Sequence, residues 1–249
     1  MRIVTALAVL LIATTGASAA EIKALITTAM DAAVVVLVPT FERATGHKVI
    51  VSYDPSGGLA RRLRGGEFAD MILVASNEFD ALIAEGKVKD RIDVSRTGIG
   101  LAVKKGAPHP DVSTPEALKR TLLAAKSIVH TTPGNGGATS MFIPRLFAKL
   151  GIAEQLAPKI KFAAGGPNGR VSALIASGEA EIGLQQVSEL MGNPEVEVIG
   201  LLPDELQQLT INAAGVTTIA KEPDLAHALI AHMITPEAKT LYRQRGLGL

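Results

Sequence analysis

The sequence is short of several residue types on which common protein functions depend. It contains no cysteine and no tryptophan, and aromatic residues make up only 3% of its 249 positions. The lack of cysteine excludes disulfide scaffolds, thiolate metal sites and cysteine nucleophiles. Charge of either sign is not in excess, since 25 Lys and Arg stand against 24 Asp and Glu. A nucleic-acid partner, which needs a cationic footprint, is therefore not expected.

The first residues have the pattern of an export leader. Arg2 is followed by an apolar run over residues 3–13, which is too short to span a bilayer comfortably. Small residues come next, and Ala17-Ser18-Ala19 fits the rule for signal-peptidase cleavage. We expect residues 1–19 to be a signal peptide that is cleaved, and the mature protein to lie in a bacterial periplasm.

After the leader, short apolar runs alternate with segments of helical spacing. Strands are predicted over residues 22–26, 48–52, 69–75, 98–103, 127–130, 160–162, 181–184, 198–201 and 216–219. Helices are predicted over residues 29–45, 59–64, 78–85, 114–123, 138–150, 170–177 and 223–233, and residues 236–245 close the chain. This alternation predicts an α/β protein with mostly parallel sheets flanked by helices. About ten strands fit two lobes, with a ligand cleft between them, better than one sheet.

Three loops between a strand and a helix have the composition of an anion site. They contain Thr27-Thr28, Ser56-Gly57-Gly58, and the segment 133–140 with Gly136, Gly137, Thr139 and Ser140. Glycines let backbone N–H groups approach a ligand, hydroxyls add donors, and the start of a helix favours negative charge. Such loops are also common as simple turns and N-caps, so the prediction depends on all three occurring together.

A fourth loop, over residues 165–170, brings Asn168 and Arg170 to the start of a helix. A guanidinium there can bind a carboxylate through two hydrogen bonds, and an arginine on a solvated helix face is the alternative.

The five histidines are scattered, and no pair has the spacing of a metal site. We therefore assign no metal, no cofactor and no catalytic residue. His130 is interpreted as a strand-end residue, with a place at the cleft as the alternative.

Four stretches, 27–33, 56–61, 69–76 and 173–184, carry a family likeness. Through them the chain resembles the molybdate-binding proteins, which are periplasmic solute-binding proteins of ABC importers with the type II two-lobe fold. The resemblance implies a monomer that captures a small anion between its lobes and delivers it to a membrane ABC permease. It places residues 20–97 and 211–249 in one lobe and 98–210 in the other. It also adds Ser76 to the candidate ligand-binding residues.

The chain departs from that family where the family has hydroxyl groups. The first-loop serine falls near Ala29, the second-loop serine on Gly57, and the tyrosine after strand 181–184 on Gln186. The ligand is then either an oxyanion such as molybdate or a small carboxylate bound by Arg170. One branch resembles aconitate isomerase, so the alternative function is a periplasmic isomerase of an unsaturated tricarboxylic acid. A carboxylate, lysine or histidine reaching the cleft would favour the isomerase.

Overall fold

The computed structural model describes residues 19–135, 137, 139–164 and 169–248. Apart from Ala19, the predicted leader lies outside these residues. The strands are β1 Glu21–Thr27, β2 Lys48–Asp54, β3 Met71–Ala75, β4 Val88–Thr97, β5 Ile99–Lys104, β6 Ile128–Thr131, β7 Ile160–Ala163, β8 Ile182–Gln186, β9 Val196–Leu201 and β10 Thr210–Thr217. The helices are α1 Asp31–Thr45, α2 Ser56–Arg64, α3 Ser76–Ala84, α4 Pro115–Ala124, α5 Phe142–Lys149, α6 Ala153–Leu156, α7 Val171–Ala176, α8 Val187–Leu190, α9 Pro223–Met233 and α10 Pro236–Gln244.

The strands form two sheets with the same design. The first has the order β2-β1-β3-β10-β4, and the second has the order β7-β6-β8-β5-β9. In each sheet four strands run in one direction, while β10 or β5 runs against them. The predicted fold class, two α/β lobes with mostly parallel sheets, is therefore confirmed. We call the lobe built on the first sheet the first lobe, and the other the second lobe.

Both sheets are buried on both faces, as the apolar runs of their strands predict. In the first lobe, Ile22 and Ile26 of β1 pack with α1 and α9, while Leu25 between them packs with α2 and α3. In the second lobe, Ile128 of β6 faces α4 and α5, and its neighbour Val129 faces α7. This alternation of side chains fixes the register of each sheet, because a shift by one residue would exchange its two faces.

Local signals set several helix ends. The α1 helix ends at Gly46, whose φ of 75° is in the left-handed region that favours glycine. Thr114 and Thr235 cap α4 and α10, since each side chain accepts a hydrogen bond from the backbone N–H three residues later. Each of these two helices has proline at its first position, where no hydrogen bond is lost. No helix of the described residues is long and apolar enough to cross a membrane.

The structure differs from the sequence prediction in two strands of the first lobe, β4 and β10, which lie next to the passages between the lobes. The chain enters the second sheet between Thr97 and Ile99 and returns to the first between Leu201 and Thr210. No strand was predicted over β4, which has polar residues at most of its exposed positions and pairs at the edge of the sheet. The last strand was predicted at residues 216–219, which was wrong in its bounds, because β10 begins at Thr210. Small and polar residues at the start of β10 hide its strand character.

Candidate functional site

A cleft of about 290 Å³ lies between the lobes, at the carboxyl ends of strands from both sheets. Its walls include the last residues of β1, β2, β6, β7 and β8, which is where open α/β sheets bind ligands. The described residues that line it are Thr27, Thr28, Ala29, Tyr53, Asp54, Pro55, Ser56, Thr131, Asn135, Gly137, Thr139, Ala163, Gly169, Arg170, Val171, Gln185, Gln186 and Glu189.

On the first-lobe wall, two hydroxyl groups are joined by a hydrogen bond. Ser56 begins α2, and its Oγ donates to Oγ1 of Thr27 over 3.0 Å. The same Oγ accepts the backbone N–H of Ala75 over 3.0 Å. Both hydroxyls are buried at the cleft. The hydroxyl of Ser56 therefore bonds to protein groups and fixes the position of the Thr27 hydroxyl. Thr28 lines the cleft beside them.

The glycines of the second predicted loop lie inside α2 and line no part of the cleft. The N–H of Gly58 is bonded to the carbonyl of Pro55 over 2.8 Å, and Gly57 is buried in the same helix turn. A Cβ on Gly58 would lie 2.6 Å from the Asp54 carboxylate. Glycine at this position therefore lets Asp54 pack against the helix.

Tyr53 and Asp54, at the end of β2, add polar groups that the sequence prediction did not include. Asp54 lies 3.8 Å from Arg62 of α2, and solvent screens the pair because the two side chains are 38% and 31% exposed. Burial, together with the charge of Asp31, raises the pKa of Tyr53 to about 12. Tyr53 therefore stays neutral at physiological pH and can donate its O–H to a ligand.

On the second-lobe wall, Gln185 is the centre of a hydrogen-bonded group. Its Oε1 accepts from Oγ1 of Thr139 over 2.6 Å and from the backbone N–H of Gln186 over 2.9 Å. Its Nε2 donates to Oγ1 of Thr131 over 2.7 Å and to Oε2 of Glu189 over 3.4 Å. Because both ends of the amide are used, Gln185 holds the two threonines and Glu189 in fixed positions.

Gln186 has hydrogen-bonding capacity that the described residues leave unused. Its Nε2 makes a long contact of 3.4 Å with Oγ1 of Thr210. Its Oε1 is buried and has no hydrogen-bond partner among the described residues. A buried amide oxygen without a partner is costly, so a ligand that donates to it would be stabilised.

The glycine-rich loop of the second lobe is only partly at the cleft. Gly137 lines the cleft, but its N–H is bonded to Oδ1 of Asn135 over 2.9 Å. Ser140 donates to the carbonyl of Gly137 over 2.8 Å and faces a second cavity of about 550 Å³. Ser76, the first residue of α3, lines that second cavity too. Two further predicted residues, Gly136 and Asn168, lie outside the described residues.

Arg170 joins the two lobes across the cleft. It precedes α7 in the second lobe, and its Nη1 lies 2.5 Å from Oδ2 of Asp31, the first residue of α1 in the first lobe. The Asp31 side chain is 15% exposed and that of Arg170 is 39% exposed. The guanidinium therefore has a carboxylate as its partner in the ligand-free protein.

Glu189 is an acidic side chain at the cleft, on the short helix α8 that follows β8. Burial raises its pKa to about 7, the charge of Asp31 adds to this rise, and the charge of Arg170 opposes it. Near neutral pH, Glu189 is therefore present in both its neutral and its ionised form. It can donate or accept a proton in a place where a bound molecule would touch it.

His130 does not line the cleft. Its ring is buried between Phe147 and Phe162 in edge-to-face contacts, and its Nδ1 lies 2.9 Å from the carbonyl of Thr131. Burial lowers its pKa, so the neutral form is favoured. Its interpretation as a strand-end residue is confirmed. Within the described ranges, no group of three or more His, Cys, Asp or Glu residues could hold a metal ion.

The cleft thus combines residues that the sequence predicted with others that it did not. Of the predicted set, Thr27, Thr28, Ser56, Gly137, Thr139, Arg170 and Gln186 line it. Tyr53, Asp54, Gln185 and Glu189 were missed, although the rule that ligands meet strand ends could have found the first three. Glu189 stands three residues after the end of β8 in a four-residue helix, which is too short to show a helical pattern.

Comparison with known proteins places this geometry in a family. A family model described as bacterial extracellular solute-binding protein matches residues 22–248. The chain belongs to this family. The sequence prediction of a solute-binding protein is confirmed, and the cleft between the lobes is the candidate place for its solute.

Relatives of this solute-binding protein include proteins with two different functions. It is 33% identical to an aconitate isomerase of a Pseudomonas species over 216 residues, which cover 84% of this chain and 80% of the relative. It is 28% identical to the molybdate-binding protein ModA of Azotobacter vinelandii, over 100% of this chain and 97% of the relative. The structure of an Azotobacter vinelandii periplasmic molybdate-binding protein superposes with a TM-score of 0.76 at 18% identity, covering 92% of this chain and 99% of that one.

Proposed function

We propose that this solute-binding protein captures a small organic anion with more than one carboxylate, and that Arg170 binds one of those carboxylates. The observation that carries the proposal is the ion pair of Arg170 with Asp31 at the cleft. In that pair, the side-chain carboxylate of Asp31 occupies the guanidinium as a ligand carboxylate would. Bidentate pairing to a planar carboxylate is the chemistry for which arginine is preferred over lysine.

The hydrogen-bonding groups of the cleft support a carboxylic acid over a bare oxyanion such as molybdate. Ser56 and Thr139, two of the cleft hydroxyls, already donate to protein oxygens. Positions 29 and 186, which line the cleft, hold alanine and glutamine instead of residues with a hydroxyl group. Besides the hydroxyls of Thr28 and Tyr53, the cleft offers a ligand the guanidinium of Arg170, the amide of Gln186 and the carboxyl of Glu189, a set that suits an organic acid.

Export and delivery complete the proposal. Members of the matched family are extracellular, and the first nineteen residues have a leader pattern, so we propose that residues 1–19 are removed on export to the periplasm. We further propose that residues 20–97 with 211–249, and residues 98–210, move as two bodies that close on the ligand. The closed monomer would then deliver the ligand to a membrane ABC permease.

A ligand screen on the mature protein tests this proposal. Thermal unfolding is followed with molybdate, tungstate, sulfate, citrate, and cis- and trans-aconitate, since a ligand at a hundred times its Kd adds about 2.7 kcal/mol of stability. We expect a tricarboxylate to raise Tm and the inorganic oxyanions to leave it unchanged. Stabilisation by molybdate or tungstate alone would contradict the proposal.

The role of Arg170 has its own variant and control. Arg170→Ala should weaken tricarboxylate binding by about 1.5–3 kcal/mol, the range for a hydrogen bond to a charged group. Arg120→Ala, which removes an exposed arginine of α4 in the same lobe, should leave affinity unchanged. Equal affinity of the two variants, measured by calorimetric titration, would remove Arg170 from the site.

A second candidate function, isomerisation of a tricarboxylic acid, is favoured by Glu189. An isomerase of this kind needs an acid–base group with a pKa near the working pH, within reach of the substrate carbon. Ionised Glu189 would take a proton from a methylene carbon, the double bond would shift, and the same proton would return to the far end of the allylic anion. Arg170 would stabilise the negative charge that develops on the adjoining carboxylate.

Proton NMR of cis-aconitate with the purified protein tests the second candidate. Accumulation of trans-aconitate that is lost in Glu189→Gln, but kept in the exposed control Glu154→Gln of the same lobe, would establish it. Tight binding without conversion by the unmodified protein would reject it and leave capture as the function.

A further inference from the structure

The position of Glu189 raises a question of charge that neither candidate function answers. Its carboxyl group lines a cleft for which we have proposed an anionic ligand. It also lies close enough to Asp31 and Arg170 for both to affect its ionisation. An ionised Glu189 would therefore face the ligand with charge of the same sign, at short range and away from bulk water.

The other charged groups of the site do not offset that repulsion. Arg170 is paired with Asp31, and Arg62, which lies 3.8 Å from Asp54 of the same cleft, is hydrogen-bonded to Glu67 over 2.6 Å. With Glu189 ionised, these six side chains carry two negative charges in excess. The residues between 164 and 169 and those at 136 and 138 are glycine, proline, asparagine and alanine, which add no charge.

Protonation of Glu189 would remove one of these two excess charges and provide a hydrogen-bond donor. We propose that Glu189 contacts the bound anion as a neutral carboxylic acid, donating its O–H to the ligand, so that capture takes up one proton from solution. The inference rests on the proposed function, because it requires an anion in this cleft. Gln185 Nε2, 3.4 Å from Oε2 of Glu189, holds one carboxyl oxygen and leaves the other to carry the proton.

The free energy needed to protonate this carboxyl is small near neutral pH, since its pKa in the ligand-free protein is about 7. An anion bound beside Glu189 raises that pKa further, because it favours the neutral carboxyl over the ionised one. By linkage, the protonated protein then binds the anion more tightly, so affinity rises as the pH falls. Two charged groups act on the ionisation of Glu189, Asp31 on α1 and Arg170 before α7, while Tyr53 and Asp54 on β2 are the other titratable groups of the cleft lining. The pKa of Tyr53 is raised to about 12, far from this range.

Histidine, the usual source of pH dependence near neutrality, does not enter the described lining of the cleft. His130 is the histidine of β6, and it is enclosed by Phe147 and Phe162. A change of ligand affinity between pH 6 and pH 8 is therefore assigned to Glu189. If only the protonated form binds, the apparent Kd should be roughly tenfold higher at pH 8 than at pH 6.

The test uses calorimetric titration of the mature protein with cis- and trans-aconitate and citrate at pH 6, 7 and 8. Unmodified protein and the control Glu154→Gln should show the roughly tenfold loss of affinity. Glu189→Gln imitates the neutral acid, so it should bind with affinity that no longer follows pH beyond the ligand's own titration. A tenfold pH effect that persists in Glu189→Gln would overturn the inference.

A second measurement on the unmodified protein does not depend on a variant folding correctly. Titrations at pH 8 in HEPES and in Tris, which differ in ionisation heat, give the number of protons taken up on binding. We expect close to one proton per ligand beyond the ligand's own contribution, and none would overturn the inference even if binding is tight. Failure of all three acids to bind at every pH would instead overturn the proposed function, and this inference with it.

Discussion

The two lobes share one strand order and one position of the cleft, but they differ in the chemistry they bring to it. The first lobe contributes hydroxyls, a neutral phenol and a carboxylate, from Thr27, Thr28, Tyr53, Asp54 and Ser56. The second also contributes threonine hydroxyls, those of Thr131 and Thr139, and it adds the guanidinium of Arg170, two glutamine amides and the titratable carboxyl of Glu189. The sheet therefore sets where a ligand lies, and the residues after the strands set which ligand it is.

The comparison also shows that the lobes are bound to each other through the site. Asp31 of the first lobe forms an ion pair with Arg170 of the second. Gln186 of the second lobe contacts Thr210, the first residue of the strand that returns to the first lobe. A ligand that replaces Asp31 on Arg170 would exchange a contact between lobes for a contact with itself, which is how a solute can be coupled to lobe movement.

The largest effect that we expect is on stability, when alanine replaces a buried glycine in a strand of each sheet. A Cβ on Gly215 of β10 would overlap the Lys89 carbonyl oxygen and lie 2.5 Å from Cζ of Phe79. A Cβ on Gly183 of β8 would meet only the ends of aliphatic side chains, which can move. We expect Gly215→Ala to lower the free energy of unfolding by about 3 kcal/mol and Gly183→Ala by about 1–2 kcal/mol.

Urea unfolding measures the loss of stability in Gly215→Ala and Gly183→Ala, with Gly192→Ala as the control. A Cβ on Gly192 would make only ordinary contacts of 3.5 Å and longer, so its effect should stay within about 0.5 kcal/mol. A larger loss for Gly183→Ala than for Gly215→Ala would contradict the distinction between backbone and side-chain neighbours.

The part of the fold that could be predicted from sequence is the part with strong local patterns. Buried strands such as β3 have continuous apolar runs, and helices such as α4 have both a cap and a proline at the first turn. The edge strand β4 could not be predicted, because its residues are largely polar and its pairing with β10 is set by the rest of the lobe.

The same limit applies to the site. Loop composition was enough to select Thr27, Ser56 and Arg170, since strand-to-helix loops meet at one edge of a sheet. Loop composition could not show that Asp31, which is remote in sequence, forms an ion pair with Arg170. It also could not show that Gln185 donates a hydrogen bond to Glu189. Those relations depend on how the lobes pack, which a single local pattern does not contain.

We expect an intermediate loss of stability when one hydroxyl is removed from either wall of the cleft. Ser56→Ala leaves the buried N–H of Ala75 without its partner, so we expect it to lower the free energy of unfolding by about 1–3 kcal/mol. Thr139→Val removes a donor to Gln185, whose oxygen keeps the N–H of Gln186, and should lower it by about 0.5–1.5 kcal/mol. Chemical denaturation of both variants checks the order, and a reversed order would show that the second-lobe network contributes more to stability than the bond from Ser56 to Ala75.

The smallest effect concerns the contact between the lobes. Asp31→Asn removes the carboxylate that competes for Arg170, so tricarboxylate affinity should rise by roughly two- to fivefold, as suits a partly exposed ion pair. Arg170→Ala acts on the same pair with the opposite sign. Calorimetric titration separates the two, and weaker binding by Asp31→Asn would mean that Asp31 orients the guanidinium instead of competing for it.

The central claim is that the ligand's carboxylate takes the place of Asp31 on Arg170. A crystal structure of the mature protein with the tricarboxylate that gives the largest rise in Tm tests it most directly. We predict a ligand carboxylate within hydrogen-bond distance of the Arg170 guanidinium, with the Asp31 side chain displaced and Glu189 in contact with the ligand. A ligand bound elsewhere, or bound in the cleft while Arg170 keeps Asp31 as its partner, would contradict the account.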